Sequence, residues 1–509
     1  MPKNYRFFLL FIMTMLALFF GMGMQDYMSL RPQGPHQWRQ ADCLSFTLNY
    51  TEQNNGILEP ELHNQMGYNG ENGKSAGEFP IVYYFMGKVW KVTGQQEWLF
   101  RLVNLLLFLA ALFALSLLLY KKTGSQTMAL FFAGLIFTIP VLSYYAPNFL
   151  MNITALSLVL LGWFFAVSFY DDAKLWKGIL AVLLFALAPL LKITAFISIL
   201  ALGGVLGLHL LFPKLKLLKK LPLKVWLVAG LGLFLSISLA GLWYNYAREY
   251  NTTFGGWFTF NDMWPIWQAD GALLRETADF VAHVWVREYF TPLGYLMLIF
   301  SIGVLIYYFK SIPAFFKAML LFVFLGNFLY VMLWFKALRD HDYYVINLYA
   351  LPFLIWFVAL WRIKQQIVKN SMTKMFGVLA MGIALTASAL YTNFHLYLRY
   401  NGWMNDGGQN KHASFFDITP YLRNEIKLTR EDKVITYPDP SYSITLYLAN
   451  QKGWPMPLEQ NADFVAEKIK FGAKYILVND SSFYTKEGLD QFHLTKIGQH
   501  KNVTILKIE

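Results

Sequence analysis

Two carboxylates in the long polar interval 31–101 of this 509-residue chain have neighbours that could give them chemistry. Asp42 closes the run WRQAD. If that run is helical, Trp38 at i−4 and Phe46 at i+4 share its face. An acid on an aromatic face at a bilayer edge is partly desolvated, which raises its pKa and suits it to take a proton. The plainer alternative is a solvated loop aspartate paired with Arg39. Glu78 precedes Phe79-Pro80, and proline is favoured at a helix's first position. Glu78 is therefore either a second acid or a carboxylate placed to suit the helix dipole. The segment after it puts Ile81, Tyr84, Phe85 and Lys88 on one face of a helix lying on a membrane and closed by Gly94. His63 could join Glu61 or Glu78 around a divalent metal, but His63-Asn64 with scattered acids is not a known ligand spacing. An ordinary loop histidine is the simpler reading.

The candidate cations lie elsewhere. Lys192, in APLLKITAF, falls between two apolar stretches, where an unpaired charge is costly and an anionic headgroup is the obvious partner. Snorkelling to the surface is the alternative, and it applies more strongly to Arg101 at the start of the second apolar span. ALRDHDYYVINLYALP crowds Arg339, Asp340, His341, Asp342, Tyr343 and Tyr344 into six positions beside another span. An aromatic belt explains the tyrosines but not the charges. The interval 248–290 holds Arg248, Glu249, Trp257, Asp262, Trp264, Trp267, Asp270 and Arg287. Tryptophans at such a place anchor helices, and one or two could stack on a sugar face.

Positioning these groups is the work of a membrane protein. The chain is 56% hydrophobic and 15% charged, against the roughly 25% charge of soluble domains. A spanning helix needs about 20 mainly apolar residues. Stretches near 6–24, 98–120, 126–145, 149–170, 175–191, 193–212, 225–247, 291–309, 313–335, 343–361 and 375–393 qualify, about eleven in all. The stretch 175–212 is split only by Pro189 and Lys192. The net charge of +12 sits mostly in short loops, at 121–122, 174–177, 214–224, 310–317 and 362–374. Placed there, it is a topology signal rather than a nucleic-acid footprint. It puts these loops and the N-terminus on the cytoplasmic side; 25–97, 146–148, 248–290, 336–342 and the tail face outward. Lys3 and Arg6 lead into the first span without a small-residue cleavage site, which reads as a retained anchor. One cysteine, Cys43, excludes an internal disulfide.

The tail from about 400 is polar, with strand-like runs at 433–437, 475–478 and 503–508 and helical patterns at 442–449 and 462–471, the latter stopped by Gly472. The expected organisation is a mainly α, polytopic transmembrane bundle over 1–399 with its first outer loop at 25–97, followed by a small extracytoplasmic α/β domain over 400–509.

WRQAD after the first span, FPIVYYFMGKVWKVTG followed by FRLVN, the lysine of LLKITA, and HDYY before a late span carry a resemblance. In their order and placement the chain resembles polytopic GT-C glycosyltransferases, in the branch of protein O-mannosyltransferases and bacterial lipid A aminoarabinose transferases. The resemblance covers about 1–400. It implies a sugar donor on a polyprenyl phosphate and a lipid, glycan or protein hydroxyl as acceptor, at the outer face of a bacterial cytoplasmic membrane. It assigns Asp42 as the base, and Lys192, Arg101, Arg339 and His341 as groups that hold the lipid phosphate. Arg39, Tyr83, Asp342, Tyr343 and Trp264 become candidate substrate contacts. A phosphate leaving group needs cationic stabilisation rather than a strong acid, and the attacking hydroxyl needs one placed base. Where such enzymes carry a second acid after the third span, this chain has Asn152 in APNFLMNITAL; where they carry His-Pro-Pro, it has Glu78-Phe79-Pro80. Either Glu78 takes the second acidic role or that role is absent, and the metal question stays open with it.

The rival class is a transporter or lipid flippase. Transporters place ionisable groups at mid-membrane within inverted repeats; here the polar groups crowd one side, and no two halves match.

Overall fold

The computed structural model describes residues 3–218, 222–258, 263–364, 371–402, 405 and 410–509. The chain folds into two compact units, each assembled from separated stretches of sequence. The first comprises Met1–Met28, Leu99–Leu242 and Asp262–Tyr397; the second comprises Ser29–Trp98, Trp243–Asn261 and Leu398–Glu509.

The first unit is helical, and each of the apolar stretches in the sequence forms helix there. Among the described residues, eight helices are long and apolar enough to cross a membrane, including Glu97–Thr123, Met151–Asp172, Leu223–Phe254 and Ala314–Leu333. Gly271–Tyr289 and Pro292–Tyr307 add a ninth crossing if counted together, and they meet at 92°. The bend has a local cause. Pro292 lacks an N–H and drives the residue before it to extended backbone. Thr291 is extended and caps the new helix through the Gly294 N–H. Gln126–Phe137 and Leu175–Leu191 are apolar but shorter, which accounts for the difference from about eleven full-length spans. The break expected within 175–212 falls at Lys192, which is extended between Leu175–Leu191 and the turn Ile193–Ala195. Leu227, Leu231 and Phe234 are exposed along one helix. An exposed apolar face on a spanning helix is a lipid face. This is a multi-pass membrane protein. Of the positive runs expected to set its orientation, 219–221 and 365–370 lie outside the described residues.

The second unit holds a five-stranded sheet and a pair of helices. Strands β1 (Val434–Tyr437), β2 (Gly453–Pro455), β3 (Tyr475–Val478), β4 (Leu494–His500) and β5 (Val503–Ile508) lie in the order β2-β1-β3-β5-β4. The β1 strand is parallel to β2 and β3, while β5 runs antiparallel to β3 and β4. Ile444–Ala449 and Ala462–Lys470 make the crossovers. Ile435, Trp454, Ile476, Val465 and Phe483 fill the core. Three strands and both crossovers follow the sequence pattern; β2 and β4 are additional.

In the same unit the helix Gln37–Glu52 packs on Ile81–Thr93. A Cβ on Gly87 would lie 2.8 Å from the Tyr50 Cβ and 2.9 Å from the Thr47 carbonyl oxygen, so glycine sets how closely the two helices approach. Gly94, at φ 75°, ends the second helix.

Candidate active site

Asp42 is fully buried on the helix Gln37–Glu52. One turn earlier on that helix, Arg39 brings Nη1 to 3.7 Å from Asp42 Oδ2, while its Nη2 donates to Glu78. Glu78 is itself buried, and the backbone before it is held from elsewhere in the unit. Asn251 accepts from the Ala76 N–H at 2.6 Å and donates to the Ala76 carbonyl at 2.8 Å, and Trp243 donates to the Gly77 carbonyl. Phe258 lies under the Arg39 guanidinium at 5.0 Å. Tyr83, on the facing helix, meets the Cys43 thiol at 3.2 Å and stacks on Phe46.

The electrostatics follow from the placement. Burial favours the neutral acid and outweighs Arg39, whose charge pulls the other way; Ser443 lowers the pKa and the Glu78 charge raises it. The Asp42 carboxyl is pushed up to about 7. Among the described residues, Arg39 and Ser443 face its oxygens, but neither approaches with the geometry of a normal hydrogen bond. Buried carboxylates are ordinarily satisfied. Such a group holds a proton-accepting position open at neutral pH, which is what a general base requires. Burial also pushes the Cys43 thiol up to about 12, so it stays protonated and inert.

The Arg39 guanidinium lies between Asp42 and Glu78, and among the described residues no three His, Cys, Asp or Glu side chains gather as metal ligands. Nor does His63 join them. Its ring meets Ser45 at 2.8 Å and Asn450 at 3.1 Å, and burial holds it well below the usual imidazole range.

In the helical unit, four stretches gather the other candidates. Lys192 lies over the Tyr343 and Tyr344 rings at 5.9 and 5.5 Å, and His341 packs on the same two rings. Asp342 is buried and accepts from the Tyr145 hydroxyl at 2.7 Å. Asn152 donates to the Tyr343 carbonyl at 3.0 Å. Arg101 is buried, donates to the Pro147 carbonyl at 2.9 Å and lies over Phe149. The structure thus brings Lys192, His341, Asp342 and Tyr343 together around the turn 145–152.

This arrangement of helices and sheet is known from solved structures. The chain shares the fold of ArnT. ArnT from Cupriavidus metallidurans in the apo state aligns at a TM-score of 0.60 and 12% identity over 98% of this chain and 97% of that one. The same protein bound to undecaprenyl phosphate aligns at 0.60 and 12%, over 100% and 98%. The arabinofuranosyltransferase AftD from Mycobacteria aligns at 0.53 and 14%, over 99% of this chain and 41% of that one. No family model matches the chain, and no curated protein matches it in sequence. The GT-C fold implied by the sequence motifs is present.

The remaining candidates are dispersed. Arg339 pairs with Glu276 and Asp340, each at 2.8 Å, so two carboxylates already share its charge. Trp264 is exposed ahead of the turn Ile266–Gln268, and Asp262 lies outside the described residues. Sequence reasoning did not single out Ser443, Tyr442 or Tyr145. The Asp-Pro-Ser run at 439–441 marks a turn, but nothing local says that the turn approaches Asp42.

Proposed function

We propose that this chain is a glycosyltransferase that moves a sugar from a polyprenyl phosphate to a hydroxyl acceptor at the outer face of the bacterial cytoplasmic membrane. The single observation that carries the reading is the fully buried Asp42 carboxylate, poised to titrate near neutrality beside the Ser443 hydroxyl. The fold shared with ArnT, which has been solved with undecaprenyl phosphate, supports the donor class. AftD, an arabinofuranosyltransferase, supports the reaction class.

Asp42 takes the proton of the acceptor hydroxyl as its oxygen bonds to the sugar's anomeric carbon. The bond from that carbon to the phosphate oxygen breaks, and polyprenyl phosphate leaves. Its negative charge calls for a cation, and within the helical unit the candidate is Lys192, with His341 beside the same tyrosine rings. Arg39 and Glu78 act on Asp42 by fixing its surroundings. The N-terminus is assigned to the cytoplasm, and the second unit, with the tail, to the outside. A flippase would need none of the proton chemistry at Asp42.

The deciding experiment gives purified protein a panel of radiolabelled polyprenyl-phosphate sugars with membrane extract, for wild type and Asp42→Asn. The expected result is label transfer by wild type and a loss of about 10²–10⁴-fold in the variant, the scale of a positioned base. Equal transfer removes Asp42 from the chemistry; no transfer by wild type from any donor leaves the flippase reading in its place.

A further inference from the structure

The acceptor has a readable chemistry of its own, and it comes from the turn after β1. The crossover from β1 leads to β2 on one side of it, and the next returns past β1 to β3 on the other. The carboxyl end of β1 is therefore the switch point at which α/β sheets present loops to ligands. The turn there is rigid. Asp439 is buried and accepts from the Ser441 and Thr445 N–H groups at 2.8 and 2.9 Å. That fixes Tyr442 and Ser443 between them. Ser443 lies beside Asp42, and the Tyr442 ring sits 3.9 Å from the Trp257 ring and 6.4 Å from Trp38.

Three aromatic rings from widely separated stretches thus converge next to one buried carboxylate. Core packing does not explain them, since Trp257 is 45% exposed and Trp38 and Tyr442 are only half-buried. Anchoring in a bilayer interface would explain an exposed tryptophan. It would not call for a buried acid and a buried hydroxyl that face each other beside the Tyr442 ring without a hydrogen bond of good geometry. A sugar ring needs both features. Its C–H face packs on the negative face of an aromatic ring, and its hydroxyl edge needs polar groups to receive it.

We propose that the exposed Trp257 ring is the stacking platform for a pyranose ring of the acceptor, walled by Tyr442 at 40° to it and by Trp38 edge-on to Tyr442, so that the acceptor is a carbohydrate. The assignment rests on Asp42 as the base, because the ring stacked beside the base is the one whose hydroxyl is deprotonated. Trp257 and Tyr442 supply the apolar surface. Ser443 supplies a hydroxyl that turns toward the substrate, and Asp42 receives the proton.

The test uses the full-length protein in detergent and tetrasaccharides of glucose, mannose, galactose and N-acetylglucosamine at millimolar concentration, without donor, by isothermal titration. At least one binds wild type. Trp257→Ala binds it about tenfold more weakly, the ratio expected from one lost stacking contact, and Trp257→Phe restores most of the affinity. The donor KM is unchanged in Trp257→Ala. Asp42→Asn binds the saccharide as wild type does while transfer is lost. No saccharide binding by wild type, or equal binding by wild type and Trp257→Ala, overturns the platform. A raised donor KM in Trp257→Ala, with saccharide binding intact, assigns the stacked ring to the donor and overturns it as well. Normal transfer by Asp42→Asn, with binding still dependent on Trp257, sinks the base and with it the assignment of the stacked ring to the acceptor, while saccharide binding at Trp257 stands.

Discussion

Asp42 lies 3.7 Å from the guanidinium of Arg39, while that guanidinium gives its hydrogen bond to Glu78. One cation thus serves two buried acids unequally. The nearer acid is compensated, and the farther one carries the cost of burial. This division is what holds Asp42 at about 7 instead of in the usual carboxylate range.

Activity should therefore depend on pH through Asp42, and Glu78 should set where. A base works only when deprotonated, so kcat/KM of wild type rises through a limb near pH 7. The Glu78 charge raises the Asp42 pKa. In Glu78→Gln that charge is gone and Arg39 is released toward Asp42, so the limb moves to lower pH. A pH–rate profile of the two proteins reads this directly. A limb at the same pH in both would show that Glu78 does not act on Asp42.

Stability should change with pH in the opposite sense to the usual acid. The folded pKa of Asp42 is raised above its unfolded value, so between pH 4 and 7 the folded state holds a proton that the unfolded state has lost. Wild type is therefore most stable with respect to this group below about pH 4, and it loses stability as pH rises to 7, by a few kcal/mol in order of magnitude. Asp42→Asn removes the loss. Its unfolding midpoint should exceed that of wild type at pH 8, and the gap should close toward pH 5. A constant gap across that range would mean that Asp42 is not buried as a charged group.

Lys192→Ala should raise the donor KM, with little change in unfolding midpoint. A hydrogen bond to a charged partner is worth roughly 1.5–3 kcal/mol, or about ten- to a hundredfold in KM. Lys192→Arg should keep most of the affinity. Unchanged donor KM in Lys192→Ala would return this lysine to the snorkelling role.

The helical unit was the most legible part of the molecule. A run of about 20 apolar residues has few alternatives to a spanning helix, and the bend at Thr291-Pro292 has a local cause. Two strands escaped notice for equally physical reasons. The β2 strand, Gly453–Pro455, is three residues bounded by glycine and proline, both poor strand formers, and it exists because β1 pairs with it. In β4, the register shifts between Lys496 and Gly498, which breaks the alternation a reader looks for. At the site, the Arg39–Asp42 spacing was visible because a helix dictates it. Trp257 was visible as one of several tryptophans able to stack on a sugar, but its approach to the site, like that of Ser443 and Tyr442, was not, because it is made by tertiary folding across hundreds of residues, and periodicity carries no information about that.

The short strand β2 also bears on how this protein is made. The Gln65 N–H donates to the Gly453 carbonyl at 2.7 Å, the Gly453 N–H returns to His63, and Trp454 donates to the Gln65 and Gly70 carbonyls. A strand edge therefore clasps a segment that is made 389 residues earlier. Residues 63–70 must wait for it while the intervening helices are made and inserted, with their backbone groups dependent on water or a chaperone. Nascent chains halted before residue 453 should expose this stretch to protease, whereas the finished chain should shield it.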